Sequence, residues 1–239
     1  MSIKRFIPNI ITSMNLICGI VGVIFAFKAR FDYAFYLMLL AMTCDFLDGF
    51  AARTLGAYSE MGKQLDSLCD LVSFGVLPSV MLYSLMVTFT FQETALCYVP
   101  LLIALFSALR LAKFNIDPRQ KDSFLGLPTP ACAVICGSLS YYACVDTSGF
   151  IAVWVAGPVF IPVLSILMCY FLVCEIPMFS FKFHKDDSQV LKNKRLAMCL
   201  FVIAIAVIAL FCDLNWSLVL LLTFTCYLVK NVIYAIFNI

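Results

Sequence analysis

Residues 45–70 read DFLDGFAARTLGAYSEMGKQLDSLCD, and four of the chain's 14 acidic residues hold the aspartate positions of this stretch, Asp45, Asp48, Asp66 and Asp70, with Glu60 a fifth acid between the pairs. Apolar sequence flanks the stretch on both sides, in a protein that is 64% hydrophobic and 13% charged. On a helix Asp45 and Asp48 are three residues apart and Asp66 and Asp70 four apart, so each pair projects from one face. Like charges so placed repel unless a cation lies between them. Hard carboxylate oxygens suit Mg²⁺ or Mn²⁺, and no neighbouring His or paired Cys suggests zinc. Four solvated carboxylates at helix ends is the competing reading. It fits poorly with like charges at both spacings and one Arg, Arg53, close by.

Two helices that carry acids and continue into apolar sequence belong to a membrane protein, and the rest of the chain agrees. Mean hydropathy is +1.02 over 239 residues, which excludes an ordinary soluble domain. Apolar segments lie near 9–27, 33–53, 69–91, 94–114, 129–145, 151–174, 196–212 and 215–237. Each approaches the roughly 20 residues that span the hydrocarbon core. The expectation is an all-α bundle of about eight transmembrane helices. The first run follows Lys4 and Arg5 but lacks a small-residue cleavage site, so it reads as a retained helix rather than a secretory signal.

An even number of spans puts both termini on one face, and basic residues choose which. Of the 16 Lys and Arg, only Lys28 and Arg30 fall on the opposite face. The termini, the acidic stretch and the longest loops are therefore expected in the cytoplasm, with the site at the cytoplasmic boundary of the membrane. The 12 cysteines are scattered through apolar runs without a C-x-x-C pair, which supports neither a disulfide framework nor zinc. His184, the one histidine, sits among Lys185, Asp186 and Asp187 and reads as solvated.

Three further patterns stand out. Pro8, Asn9, Thr12, Asn15 and Gly19 draw a polar and small-residue stripe along the first helix, expected to face other helices or a polar ligand rather than lipid. Gly49 and Ala52 leave room beside the carboxylates for a ligand to approach the backbone. With Arg53 near, they form a candidate phosphate cradle. Arg110, Lys113 and Asn115 precede a loop through Phe124, Gly126, Leu127, Pro128, Thr129 and Pro130. Arg110 lies between Leu109 and Leu111, so it needs an anion or must snorkel to the interface. Carboxylates that clamp metals commonly serve displacement at phosphorus, and a carboxylate at the edge of such a site can take a proton from an attacking hydroxyl. An alcohol acceptor and a phosphoanhydride donor are the expected substrates. A cation transporter that uses intramembrane acids is the remote alternative, disfavoured because these acids lie towards one face.

The spacing D-x-x-D-G-x-x-A-R-x8-G-x3-D-x3-D, filled by Asp45, Asp48, Gly49, Ala52, Arg53, Gly62, Asp66 and Asp70, resembles the motif of the CDP-alcohol phosphotransferases. The first-helix stripe, the run Leu65–Asp70 continuing to Phe74 and Gly75, Arg110–Asn115 and the Phe124–Pro130 loop resemble the serine-accepting branch of that family, the integral-membrane phosphatidylserine synthases. The resemblance covers roughly residues 4–182. It implies a catalytic membrane domain at 1–182, followed at 183–239 by a charged cytoplasmic loop and two helices packed on the same bundle. It further implies that Asp45, Asp48, Asp66 and Asp70 hold one or two Mg²⁺ or Mn²⁺ ions, and that Asp70 is the catalytic base. Thr12, Asn15, Gly49, Ala52, Arg53 and Gly62 would line the CDP and diphosphate pocket. Arg110, Lys113 and Asn115 would bind phosphate or serine, although Lys113 stands where Arg is the commoner residue and bidentate pairing is lost. The implied partners are CDP-diacylglycerol, L-serine and a second copy of the chain, in a bacterial or archaeal membrane. Glycerol phosphate or inositol phosphate are the alternative acceptors.

Overall fold

In the computed structural model, which describes residues 6–90, 93–117, 124–147, 149–178 and 215–237, the chain is helical apart from one short antiparallel ladder. The first helix, α1 (Phe6–Phe27), has two unlike faces. Ile10, Met14, Ile17, Ile20 and Ile24 are exposed, whereas Pro8, Thr12, Asn15, Cys18, Gly19 and Gly22 are buried. The stripe therefore faces protein. Small residues let the backbones approach: a Cβ on Gly19 would lie 3.1 Å from the Cα of Ser73, and one on Gly22 would lie 3.1 Å from Leu77 Cδ1.

A turn at Lys28–Arg30 leads into α2 (Phe31–Thr54), which packs along α1. The next helix, α3, runs from Glu60 to Thr90. It starts at Glu60 because the Ser59 hydroxyl accepts the Gly62 N–H at 3.0 Å, an N-cap. Within it, Leu71–Val76 form a π-helical turn. A 3₁₀ segment, Ala95–Leu101, opens α4 (Leu102–Ile116). The ladder pairs β1 (Phe124–Leu125) with β2 (Pro177–Met178). Between them come α5 (Thr129–Val145), α6 (Phe150–Ala156) and α7 (Phe160–Val173), and α8 spans Trp216–Phe237.

The bundle's centre is α5, which is buried almost all round and contacts α2, α3 and α8. Its composition explains this. Ala131, Ala133, Gly137, Ser138 and Ser140 present little bulk, and the two serine hydroxyls donate to carbonyls within their own helix, Val134 O and Cys136 O. Phe31, Phe35 and Met38 of α2 and Phe74, Leu77, Met81 and Leu85 of α3 complete the core. None of the described cysteines forms a disulfide.

Among the described residues, five stretches are long and apolar enough to cross a membrane: Phe6–Phe27, Phe31–Thr54, Glu60–Thr90, Ala95–Ile116 and Trp216–Tyr234. Taking α5 and α6, which meet at 106°, as one broken span makes six. Of the expected segments, 9–27, 33–53, 69–91, 94–114 and 215–237 correspond to these five, and 129–145 to the first part of the broken span. The segment 151–174 is not one helix, because Gly157 adopts an extended conformation before Pro158 and separates α6 from α7. The segment at 69–91 is the later part of a longer helix. Segment 196–212 and both chain ends lie outside the described residues.

Candidate active site

The C-terminal half of α2 and the first turns of α3 bring the acids of the opening stretch together. One carboxylate oxygen from each of Asp45, Asp48 and Asp66 lies within 4.8 Å of the others. Asp48 is 5% exposed, and its Oδ2 is buried without a hydrogen-bond partner, as is Asp66 Oδ1. Buried anionic oxygens without donors are costly to leave alone. Three hard oxygens converging on one point fit a divalent cation, so these residues suit the metal expected from the sequence.

Asp70, the fourth carboxylate expected at the metal, is not among the three that meet within 4.8 Å. It follows Asp66 by about one helical turn, but its Oδ1 accepts a hydrogen bond from Asn15 Nδ2 at 3.1 Å, across to α1. The hydroxyl of Ser73, in the π turn that begins at Leu71, donates to the Asn15 carbonyl at 3.0 Å.

A cleft of about 510 Å³ opens beside Asp48 and Asp66. Thr12, Gly49, Ala52 and Gly62 line it, together with Asn9, Tyr58, Ser59 and Lys63. Open space lies over Gly49, whose added Cβ would meet nothing within 4 Å. Gly62 is more confined, since its Cβ would lie 2.9 Å from Ser59 Oγ and 3.2 Å from Asn9 Oδ1. Two residues expected here are elsewhere. Arg53 is exposed, and its Nε donates to Gly49 O at 3.0 Å, at the C-terminal end of α2. Asn15 is wholly buried and does not line the cleft.

The second cluster divides in the same way. Arg110 is 6% exposed; its NH1 donates to Thr129 Oγ1 at 2.8 Å, its Cζ lies 5.3 Å from the Phe114 ring centre, and its Nε is buried without a partner. Lys113 pairs with Glu175 at 3.0 Å. The Asn115 amide donates to Ser67 Oγ at 2.8 Å, and Lys63 Nζ donates to its carbonyl at 3.4 Å, joining the end of α4 to α3 beside Asp66.

Sequence reasoning did not single out Lys63, Tyr58 or Ser59 as cleft residues, nor Thr129 as the partner of Arg110. Lys63 follows Gly62 directly, and Ser59 precedes it at the spacing of an N-cap, so both had a local signal. Thr129 had none, because its meeting with Arg110 depends on the approach to α5. That approach is built on Gly126 (φ +75°), whose N–H donates to Ile176 O at 2.9 Å, and Leu127, whose N–H donates to Phe171 O at 2.7 Å.

A sequence model of the CDP-alcohol phosphatidyltransferase family matches residues 5–162, a range that contains the acid cluster, the cleft, Arg110 and Thr129. The CDP-diacylglycerol-serine O-phosphatidyltransferase of Bacillus subtilis is 37% identical over 137 residues, covering 57% of this chain and 76% of that protein. The protein of the same name from Helicobacter pylori strain J99 is 37% identical over 130 residues, covering 54% of each. The archaetidylserine synthase of Methanothermobacter thermautotrophicus is 36% identical over 134 residues, covering 55% of this chain and 56% of that protein. The chain thus spans about half the length of the last two relatives.

Proposed function

The chain belongs to the CDP-alcohol phosphatidyltransferase family, and from that membership we propose that it transfers the phosphatidyl group of CDP-diacylglycerol to the hydroxyl of L-serine, releasing CMP. The observation that carries the reading is the convergence of Asp45, Asp48 and Asp66 on one point at the wall of a cleft large enough for a nucleotide. Relatives that share more than a third of their residues with the chain over the aligned stretch, and are named for serine transfer, support the acceptor.

Each group then has a part. Thr12, Gly49, Ala52 and Gly62 bound the CDP pocket, with Lys63 as a cationic wall residue towards the diphosphate. Bound at Asp45, Asp48 and Asp66, Mg²⁺ or Mn²⁺ would supply positive charge to the diphosphate oxygens. Asp70, held outside that triad, takes the proton from the serine hydroxyl as its oxygen bonds to the phosphorus bearing the lipid. The bond from that phosphorus to the CMP oxygen breaks, and CMP leaves. Arg110, buried and anchored by Thr129, receives the serine carboxylate or the transferred phosphate through its remaining donors. Lys113 and Asn115 act through the helix ends they join. The skew of basic residues supports a cytoplasmic site, and the bacterial and archaeal relatives support a cell membrane.

An acceptor panel tests this. The purified full-length protein, given CDP-diacylglycerol and Mn²⁺, should release CMP when L-serine is added. Release with glycerol phosphate or inositol phosphate and not with serine would overturn the acceptor. No release with any alcohol would overturn the transferase reading.

A further inference from the structure

Asn15 does not line the cleft, and its side chain bonds to one residue, its Oδ1 being buried without a partner. It is 0% exposed, its amide donates to Asp70 Oδ1, and its own carbonyl is held by the Ser73 hydroxyl from the π turn. Asp66 and Asp70 are neighbours on one helix face, yet only Asp66 joins the triad. A side-chain amide is the natural partner for one oxygen of a carboxylate: its N–H donates, and it carries no charge that would neutralise the base. The residue that reaches Asp70 therefore comes from α1, and the widened turn directly after Asp70 supplies the hydroxyl that fixes that residue's backbone.

We infer that Asn15 is a positioning residue for Asp70, not a nucleotide ligand: it occupies Oδ1, leaving Oδ2 as the oxygen that takes the acceptor's proton, and Ser73 holds Asn15 in register. The inference rests on the role proposed above for Asp70. A positioned general base contributes about 10²- to 10⁴-fold, and loss of the hydrogen bond that orients it should forfeit about 10- to 100-fold of that. Donor binding does not pass through this bond, so the two properties should separate.

Serine-dependent CMP release by full-length wild type, measured first, checks the reading on which the inference rests. Absence of release there defeats that reading whatever the variants do. With release established, Asn15→Ala should lower kcat about 10- to 100-fold while leaving the KM for CDP-diacylglycerol and the binding of Mn²⁺, followed by its electron paramagnetic resonance signal, within twofold. Ser73→Ala, which keeps the Asn15 amide, should give a smaller loss of the same kind. It also serves if Asn15→Ala does not fold. In an Asp70→Asn background the residual rate should be indifferent to Asn15→Ala, because the two residues act as a unit. An unchanged kcat in both single variants, a rise in the donor KM that accounts for the loss, or additive losses in the double variant would each overturn the inference.

Discussion

Asp48 Oδ2 and Asp66 Oδ1 are the clearest residue-scale sign of a site whose requirements conflict with those of the fold. Both are buried and without donors, and Asp45 adds a third carboxylate within 4.8 Å. Without a cation the three charges repel, so removing one should relieve the protein while disabling the site. Asp48→Asn is expected to unfold about 2–4 °C above wild type in chelator, a gain of about 1 kcal/mol for a chain of this size. Wild type should be stabilised by added Mn²⁺, because the ion binds the folded state, and the variant should not. A thermal melt with and without Mn²⁺ checks both; a Mn²⁺ shift retained by the variant would remove Asp48 from the ligand set. The meeting of these carboxylates was legible in the sequence because both pairs lie at helical spacing within one short stretch. Thr12, Gly49, Ala52 and Gly62 share one cleft; the small size of Gly49 and Ala52 signalled room for a ligand, whereas Thr12 and Gly62 were implied by the family resemblance. What the spacing did not disclose was how side chains divide their hydrogen bonds. Arg53 turns back to Gly49 O, Asn15 to Asp70 and Lys113 to Glu175. Those choices depend on partners up to 62 residues away.

At the scale of elements, α1 and α2 lie close to their expected bounds and α5 matches them, because long apolar runs with small-residue stripes leave few alternatives. The misread elements have local causes. A Ser N-cap starts α3 ahead of its apolar part, and Gly157-Pro158 divides a run whose hydropathy alone looks continuous. The loop into α5 shows how an element without regular structure serves the site. At Gly126 φ is +75°, and a Cβ would lie 2.8 Å from Cys174 O, 2.9 Å from Leu172 O and 3.0 Å from Phe171 O. An L-residue there meets both an unfavourable backbone conformation and three carbonyls of the chain segment at the end of α7. Gly126→Ala should therefore cost about 1–3 kcal/mol in stability. It should also lower activity, because Thr129, the partner of Arg110, begins the helix that this loop delivers. Gly56 provides the control, with φ +58° but nothing within 4 Å of an added Cβ. Gly56→Ala bears the conformational cost alone, about 1 kcal/mol, and should leave turnover near wild type. Equal losses at the two positions in parallel melts and CMP assays would sink the argument from the carbonyl cage.

For the whole molecule, the direction in which the bundle crosses the membrane decides which substrates the cleft meets. Lys28 and Arg30 occupy the turn at one end of α2, and Arg53 and Lys63 lie at and beyond its other end. With 24 residues at 1.5 Å each, α2 spans about 36 Å, enough to separate the two groups by a hydrocarbon core. The acid triad and its cleft lie on the Lys63 side. Basic residues favour the cytoplasmic side, and the sequence-based expectation leaves only Lys28 and Arg30 for the other. That orientation would put the cleft where nucleotide-linked lipid and free serine are available. Both Lys28 and Lys63 are exposed, so a membrane-impermeant amine reagent can distinguish the two directions in sealed vesicles. Right-side-out vesicles should yield modified Lys28 with Lys63 protected, and inverted vesicles the reverse, when tryptic peptides are weighed. Because Lys63 lines the cleft, saturating CDP-diacylglycerol in the inverted vesicles should slow its modification and leave an exposed lysine outside the cleft unaffected. Modification of Lys63 from the outer face would reverse the orientation and detach the site from its cytoplasmic substrates. Slowing by the donor at Lys63 alone would join the cleft, the orientation and the proposed reaction in a single measurement.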